Sequence, residues 1–144
     1  MDNFLKTLAG QHARRCLAAT YVLVHRDDSD VLGFYSLATT GIRFDEFPQE
    51  FAAKLPRYAV LPAILLGRLA VDRSCRNQGL GELLPMDALS RSEQFSSQIA
   101  AMAVIVDAID ESAARFYARF EFLPFPRNPL SLFLPMDAVK NLFR

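Results

Sequence analysis

Apolar residues recur along this chain in two rhythms, one of about 3.6 residues and one of two. Phe4, Leu5, Leu8 and Ala9 fall at helical spacing, and Arg14 and Arg15 close the segment where cations meet the negative pole of a helix dipole, so a helix is expected from Asp2 to about Arg15. AATYVLVHR and VLGFYSLATTGI are rich in β-branched and aromatic residues and are separated by the polar DDSD, which predicts an antiparallel hairpin with a wet tip. FDEFPQEFAAKL predicts a short helix interrupted by Pro48. AVLPAILLGRLAVD is apolar at nearly every position, the pattern of a strand buried on both faces, and is expected at the centre of the sheet. After RSCRNQ a helix is expected from about Gly79 to Phe95, with Leu80, Leu83, Leu84, Ala88 and Leu89 along one side. AAMAVIVDA predicts a second buried strand. In DESAARFYARF, Ala113, Phe116, Tyr117 and Phe120 mark one helical face behind Asp110 as N-cap, and LSLFLPM predicts a closing strand. The order α, ββ, α, β, α, β, α, β defines an α/β sandwich around a mixed sheet, with no internal repeat or low-complexity segment.

Composition narrows the picture. At 144 residues and 51% hydrophobic, the chain suits one compact domain over residues 1–144 with a proper core. Sixteen basic and sixteen acidic residues cancel, so bulk charge gives no reason to expect nucleic acid or an anionic membrane, although a local basic patch is compatible with it. No apolar run approaches the ~20 residues of a membrane span, and Lys6 sits among polar residues where a signal peptide needs an apolar segment; a cytoplasmic protein without a membrane partner is expected. Cys16 and Cys75 lack C-x-x-C spacing, and His12 and His25 are the only imidazoles, so no metal site is expected.

The stretch RNQGLGELL carries the clearest chemistry. Two glycines one residue apart at the mouth of a helix let first-turn amides crowd around an anion, because those N–H groups lack intrahelical partners and carry the positive end of the dipole. A phosphate loop of the NTPase type needs a lysine and a hydroxyl residue after its last glycine, whereas Gly81 is followed by Glu82 and Leu83. A dinucleotide fold needs a third glycine where Leu84 stands, directly after its strand. A plain tight turn into a structural helix also satisfies the glycine pair.

The wider arrangement discriminates. LGRLAVD, a loop, R-x-x-G-x-G at a helix start, a second buried strand and a helix bearing ARFYARF together resemble the GNAT superfamily of acyl-CoA-dependent N-acyltransferases. The resemblance implies a mixed, mostly antiparallel sheet flanked by helices, and a pyrophosphate of coenzyme A at Arg76, Gly79 and Gly81. It further implies that the pantetheine arm of acetyl-CoA lies on Leu69, Ala70 and Val71. Gln78, Gly79, Leu80, Gly81 and Glu82 would supply amides, with Asp110 and Phe116 also beside the cofactor. Tyr117 would be the catalytic proton donor to the departing thiolate, its phenol staying protonated at neutral pH with an ordinary pKa of about 10; plain core packing is the competing role. GFYSLA, LPAILLGRLAVD and DESAARFYARFEFLPFP resemble, more narrowly, GNAT toxins of toxin–antitoxin modules. That resemblance implies an aminoacyl-tRNA substrate and a ribbon-helix-helix antitoxin, and leaves a homodimer open.

No histidine and no obvious glutamate near the motif offers itself as general base. An α-amino group with a pKa of about 7.7–8.0 is already partly free at neutral pH, whereas lysine at about 10.4 is not, which agrees with aminoacyl-tRNA; Asp72 or a water chain are the other routes for the proton. An RNA substrate needs cations, for which Lys6, Arg14, Arg15, Arg26, Arg73, Arg76 and Arg91 are candidates, with Arg68 a substrate contact or a structural residue. Three departures from the family pattern stand out. Related chains carry a further strand ahead of the first helix, so an N-terminal strand is expected to be missing; Pro85 falls inside the pyrophosphate helix; and Glu121 replaces a usual glycine. A metabolic or resistance N-acetyltransferase and an inactive binding module of the same fold are the alternative readings.

Overall fold

A computed structural model describes residues 17–24, 30–57, 60–72 and 79–143, with Leu80 through its backbone only. The expected helix from Asp2 to Arg15, the tip of the hairpin, and Arg76 and Gln78 lie outside the described residues. The elements run β1 (Ala19–Val24), β2 (Val31–Ile42), a 3-10 turn (Phe44–Glu46), α1 (Gln49–Ala52), β3 (Leu61–Val71), α2 (Leu80–Ser96), β4 (Ala103–Asp107), α3 (Glu111–Ala118), β5 (Leu123–Phe125), β6 (Asn128–Pro135) and α4 (Met136–Leu142). Six strands form one mostly antiparallel sheet in the order β1-β2-β3-β4-β6-β5. The hairpin is antiparallel, with Tyr21 opposite Tyr35. Pro48 does interrupt the first short helix, sitting as its N-cap between the 3-10 turn and α1.

The chain divides into two compact units, residues 1–38 with 66–91 and residues 39–65 with 92–144, so β2, β3 and α2 each contribute to both. In the first unit Phe34, Tyr35, Leu37, Leu66, Leu84, Ala88 and Leu89 are buried. In the second, Phe47, Leu61, Ala63, Ile105, Phe125 and Phe133 form an aromatic-rich core, with Phe47 edge-on to Phe133 at 4.9 Å. Burying one such ring is worth about 1.5–3 kcal/mol, and edge-to-face geometry adds about 0.5–1.5 kcal/mol.

The structure corrects the sequence reading at four points. β3 is buried over most of Leu61–Leu66, but Gly67 and Arg68 are exposed and Leu69–Val71 half-buried, so the continuous apolar pattern stands for two different environments. Leu83 is 50% exposed, not on the buried side of α2. A short strand, β5, precedes β6; its three residues, Leu123–Phe125, include Pro124 and are too few to show alternation. LSLFLPM does not end the fold, because α4 follows it directly from Met136.

Candidate active site

The expected cofactor strand has a definite polarity. The Asp72 amide donates to the Leu32 carbonyl at 2.7 Å. Polar groups of successive strand residues point to alternate sides, so Ala70 and Asp72 face β2 while the amides and carbonyls of Leu69 and Val71 face away from it. Just upstream, the Arg68 amide donates to the buried Ser36 hydroxyl at 3.1 Å, and Gly67 leaves room for that oxygen, which would lie 3.0 Å from an added Cβ.

The glycine pair serves two distinct purposes. Gly79 has φ +78°, the left-handed region that costs an L-residue about 1–2 kcal/mol, and α2 starts at the next residue. Its carbonyl accepts from the amides of Glu82 and Leu83 at 3.3 and 3.2 Å, leaving Leu80 and Gly81 as the first-turn amides without an intrahelical acceptor. Gly81 lies inside the helix, and among the described residues a Cβ built on it or on Gly79 meets no heavy atom within 4 Å. The described residues leave space over this helix start, as the fit of a diphosphate requires.

Pro85 is accommodated inside α2 and is almost fully buried, as is its neighbour Leu84. Lacking an N–H, it cannot donate to the carbonyl of Gly81, so one rung of the ladder between the first turn and the rest of α2 is missing.

In the second unit, Asp110 caps α3, its carboxylate accepting from the Ala113 amide at 2.8 Å. The cap by itself accounts for an aspartate here. Phe116 and Tyr117 follow on the apolar face, T-shaped to one another at 5.4 Å; Tyr117 is only 9% exposed and Phe122 lies against its ring at 5.7 Å. Burial pushes the Tyr117 hydroxyl up to about 12, so it holds its proton throughout the neutral range.

Of the proposed site residues, Leu69–Val71 and Gly79–Glu82 belong to the first unit, and Asp110, Phe116 and Tyr117 to the second. Of the seven cations considered for RNA, six lie outside the described residues. The seventh, Arg91, is already engaged: its Nε donates to the Tyr35 hydroxyl at 2.9 Å, pairs with Asp87 at 3.5 Å, and its guanidinium lies 4.2 Å from the centre of the Tyr21 ring. Sequence reasoning missed this network, whose one legible signal was the i, i+4 spacing of Asp87 and Arg91 on α2.

With this geometry in view, comparison with known proteins resolves the class. Residues 18–124 match the Acetyltransferase (GNAT) domain family, and the chain belongs to it. The tRNA-acetylating toxin of Mycobacterium tuberculosis (strain ATCC 25618 / H37Rv) is 37% identical over 115 residues, 80% of this chain and 68% of that protein. The structure of AtaT complexed with acetyl-methionyl-tRNAfMet overlays with TM-score 0.89 and 30% identity, covering 99% of this chain and 85% of that one. A tyrosine-to-phenylalanine variant of AtaT bound to the C-terminus of the antitoxin AtaR and acetyl-CoA overlays with TM-score 0.80 and 28% identity, covering 98% and 82%.

Proposed function

We propose that this chain is an acetyl-CoA-dependent N-acetyltransferase toxin that acetylates the α-amino group of aminoacyl-tRNA and thereby blocks translation. The observation that carries the reading is the near-complete overlay, 99% of the chain at TM-score 0.89, on a toxin solved with acetylated initiator tRNA. The glycine-led start of α2 and the outward polarity of Leu69 and Val71 support the cofactor assignment.

When bound, acetyl-CoA supplies an activated acetyl group on a thiol leaving group. Leu69 and Val71 hold the pantetheine amides through main-chain groups that face away from β2. The amides of Leu80 and Gly81 would receive the pyrophosphate, with Arg76, Gln78 and Glu82 the further residues assigned to it by the family resemblance. Tyr117 would serve as the donor to the departing sulfur, with Phe116 and Asp110 shaping and capping the helix that carries it. A phenol at about 12 lies roughly 3.5 units above a thiol at about 8.5, so complete transfer in the ground state would cost about 5 kcal/mol. Tyr117 therefore acts mainly by donating a hydrogen bond as charge develops, and the amine's own proton is what finally neutralises the sulfur. An α-amino acceptor, already partly unprotonated at neutral pH, needs little help from a general base. A ribbon-helix-helix antitoxin is the proposed silencing partner.

Expression from a tight promoter tests the whole reading in cells. Growth should stop with translation lost first, and the Gly79→Val variant, expressed to the same level, should leave growth unchanged. Normal growth with soluble protein that binds acetyl-CoA would move the assignment to a metabolic or resistance N-acetyltransferase.

A further inference from the structure

Helix α2 carries the proposed pyrophosphate site at its start, and Pro85 removes one of the backbone bonds that tie that start to the following turn. The first unit contains two side-chain contacts that reinforce the helix around this weakened point. Gly33 and Tyr35 are two residues apart on β2 and present one face of the strand. On α2, Leu84, Asp87, Ala88 and Arg91 form one stripe at i, i+3, i+4 and i+7. The two rows meet at both ends.

At the first end the contact is steric. A Cβ added to Gly33 would lie 2.7 Å from Leu84 Cδ1 and 2.9 Å from the carbonyl oxygen of Ala70. The absence of a side chain at this one position lets the helix from the cofactor loop and the strand that takes the pantetheine arm approach β2 together. At the second end the contact is polar. Tyr35 is 1% exposed, its hydroxyl donates to the Asp87 carboxylate, and the same oxygen accepts from Arg91 Nε at 2.9 Å. Its ring is stacked on Tyr21 at 5.3 Å, which fixes the direction in which the hydroxyl points. Asp87 follows Pro85 by two residues and Leu84 precedes it, so the strand contacts α2 on both sides of Pro85.

We propose that Gly33 and Tyr35 are positioning residues for acetyl-CoA: without touching it, they set the register of the helix start at Leu80–Gly81 against the strand Leu69–Val71, so that one ligand can engage both. This rests on the cofactor assignment above. The physical reason is that a ligand bridging two elements gains from the second only if their spacing is already correct, and a displacement of about 1 Å can cost up to a hundredfold in rate.

Tyr35→Phe keeps the ring and its stack and removes only the hydroxyl, while Gly33→Ala introduces the clash. The test measures affinity of the wild type, both variants and Gly79→Val for three probes well below the melting temperature: acetyl-CoA, acetyl-pantetheine without the pyrophosphate, and adenosine 3′-phosphate 5′-diphosphate, which keeps the pyrophosphate without the arm. Tyr35→Phe is expected to bind acetyl-CoA roughly tenfold more weakly and to bind each half-ligand as the wild type does. Its KM for acetyl-CoA should rise while kcat at saturation stays within about twofold. Gly33→Ala should show a larger loss of the same selectivity; should that variant fail to fold, Tyr35→Phe alone decides. Wild-type affinity for acetyl-CoA in Tyr35→Phe, with Gly79→Val weakened, overturns the positioning role alone. Equal losses for acetyl-CoA and acetyl-pantetheine also overturn it, because a generally loosened fold would do that. Failure of the wild type to bind acetyl-CoA, or indifference to Gly79→Val, removes the cofactor assignment and this inference with it.

Discussion

The amide of Asp72 donates to the carbonyl of Leu32 at 2.7 Å, and this bond assigns a side of β3 to the main-chain groups of Leu69–Val71 just before it. Proline scanning should read that polarity directly. At Val71 the lost N–H faces away from β2, so Val71→Pro should keep the fold and lose acetyl-CoA affinity by at least about tenfold. At Ala70 the lost N–H faces β2, so Ala70→Pro should destabilise by about 3 kcal/mol or more. Melting curves beside calorimetric titrations check both, and the reverse pattern would mean that the arm lies elsewhere.

The two glycines of the loop should separate stability from binding. Gly79→Ala pays for its left-handed φ of +78°, about 1–2 kcal/mol. Gly81 is helical and no described residue crowds it, so Gly81→Ala should hold or raise stability by up to about 1 kcal/mol. The same substitution should weaken acetyl-CoA binding, because the methyl group occupies the space the phosphates need. A Gly81→Ala variant that is more stable and binds acetyl-CoA as before would place the diphosphate off this turn.

Glu121 has φ +72°, the one non-glycine residue with positive φ among those described. Glu121→Gly should therefore raise stability by about 1 kcal/mol, readable as a melting temperature several degrees higher, with turnover unaltered. No gain would mean that the glutamate side chain offsets its own backbone strain.

The pH profile follows from two groups of opposite requirement. The acceptor amine must be unprotonated, so kcat/KM should rise with pH up to about 8. Tyr117 must stay protonated, and burial has pushed its hydroxyl up to about 12, so no decline should follow before pH 10, where an ordinary phenol would already be half ionised. Tyr117→Phe should keep the rising limb and lower the plateau by about 10²–10⁴-fold. A phenylalanine variant with an unaltered plateau would assign the tyrosine to packing.

The strongly patterned parts of this fold were legible in the sequence. The hairpin, the central strand, α2 and the Asp110 cap all follow from β-branched runs, turn residues and helical spacing, and the glycine pair marked the turn into α2. Other features had no one-dimensional signature. β5 is three residues long and owes its existence to pairing with β6, with Leu123 opposite Phe133. The partnership of Tyr35 with Asp87 spans 52 positions, and nothing local to either residue reveals it. The clash that keeps Gly33 a glycine comes from Leu84 and Ala70, both remote in sequence. Arg91 looked like a surface cation because its composition-level role and its packing role are indistinguishable until Tyr21 and Tyr35 are placed beside it.

The central claim is an acetyl group transferred to the α-amino group of an amino acid esterified to tRNA. Purified protein incubated briefly with radiolabelled acetyl-CoA, and with charged tRNA, uncharged tRNA and the free amino acids in separate reactions, measures it most directly. Label is expected on the charged tRNA pool alone, released by mild alkali as N-acetyl-amino acid. Label on free amino acids or on protein lysines at the same rate, with charged tRNA left unmodified, would contradict it.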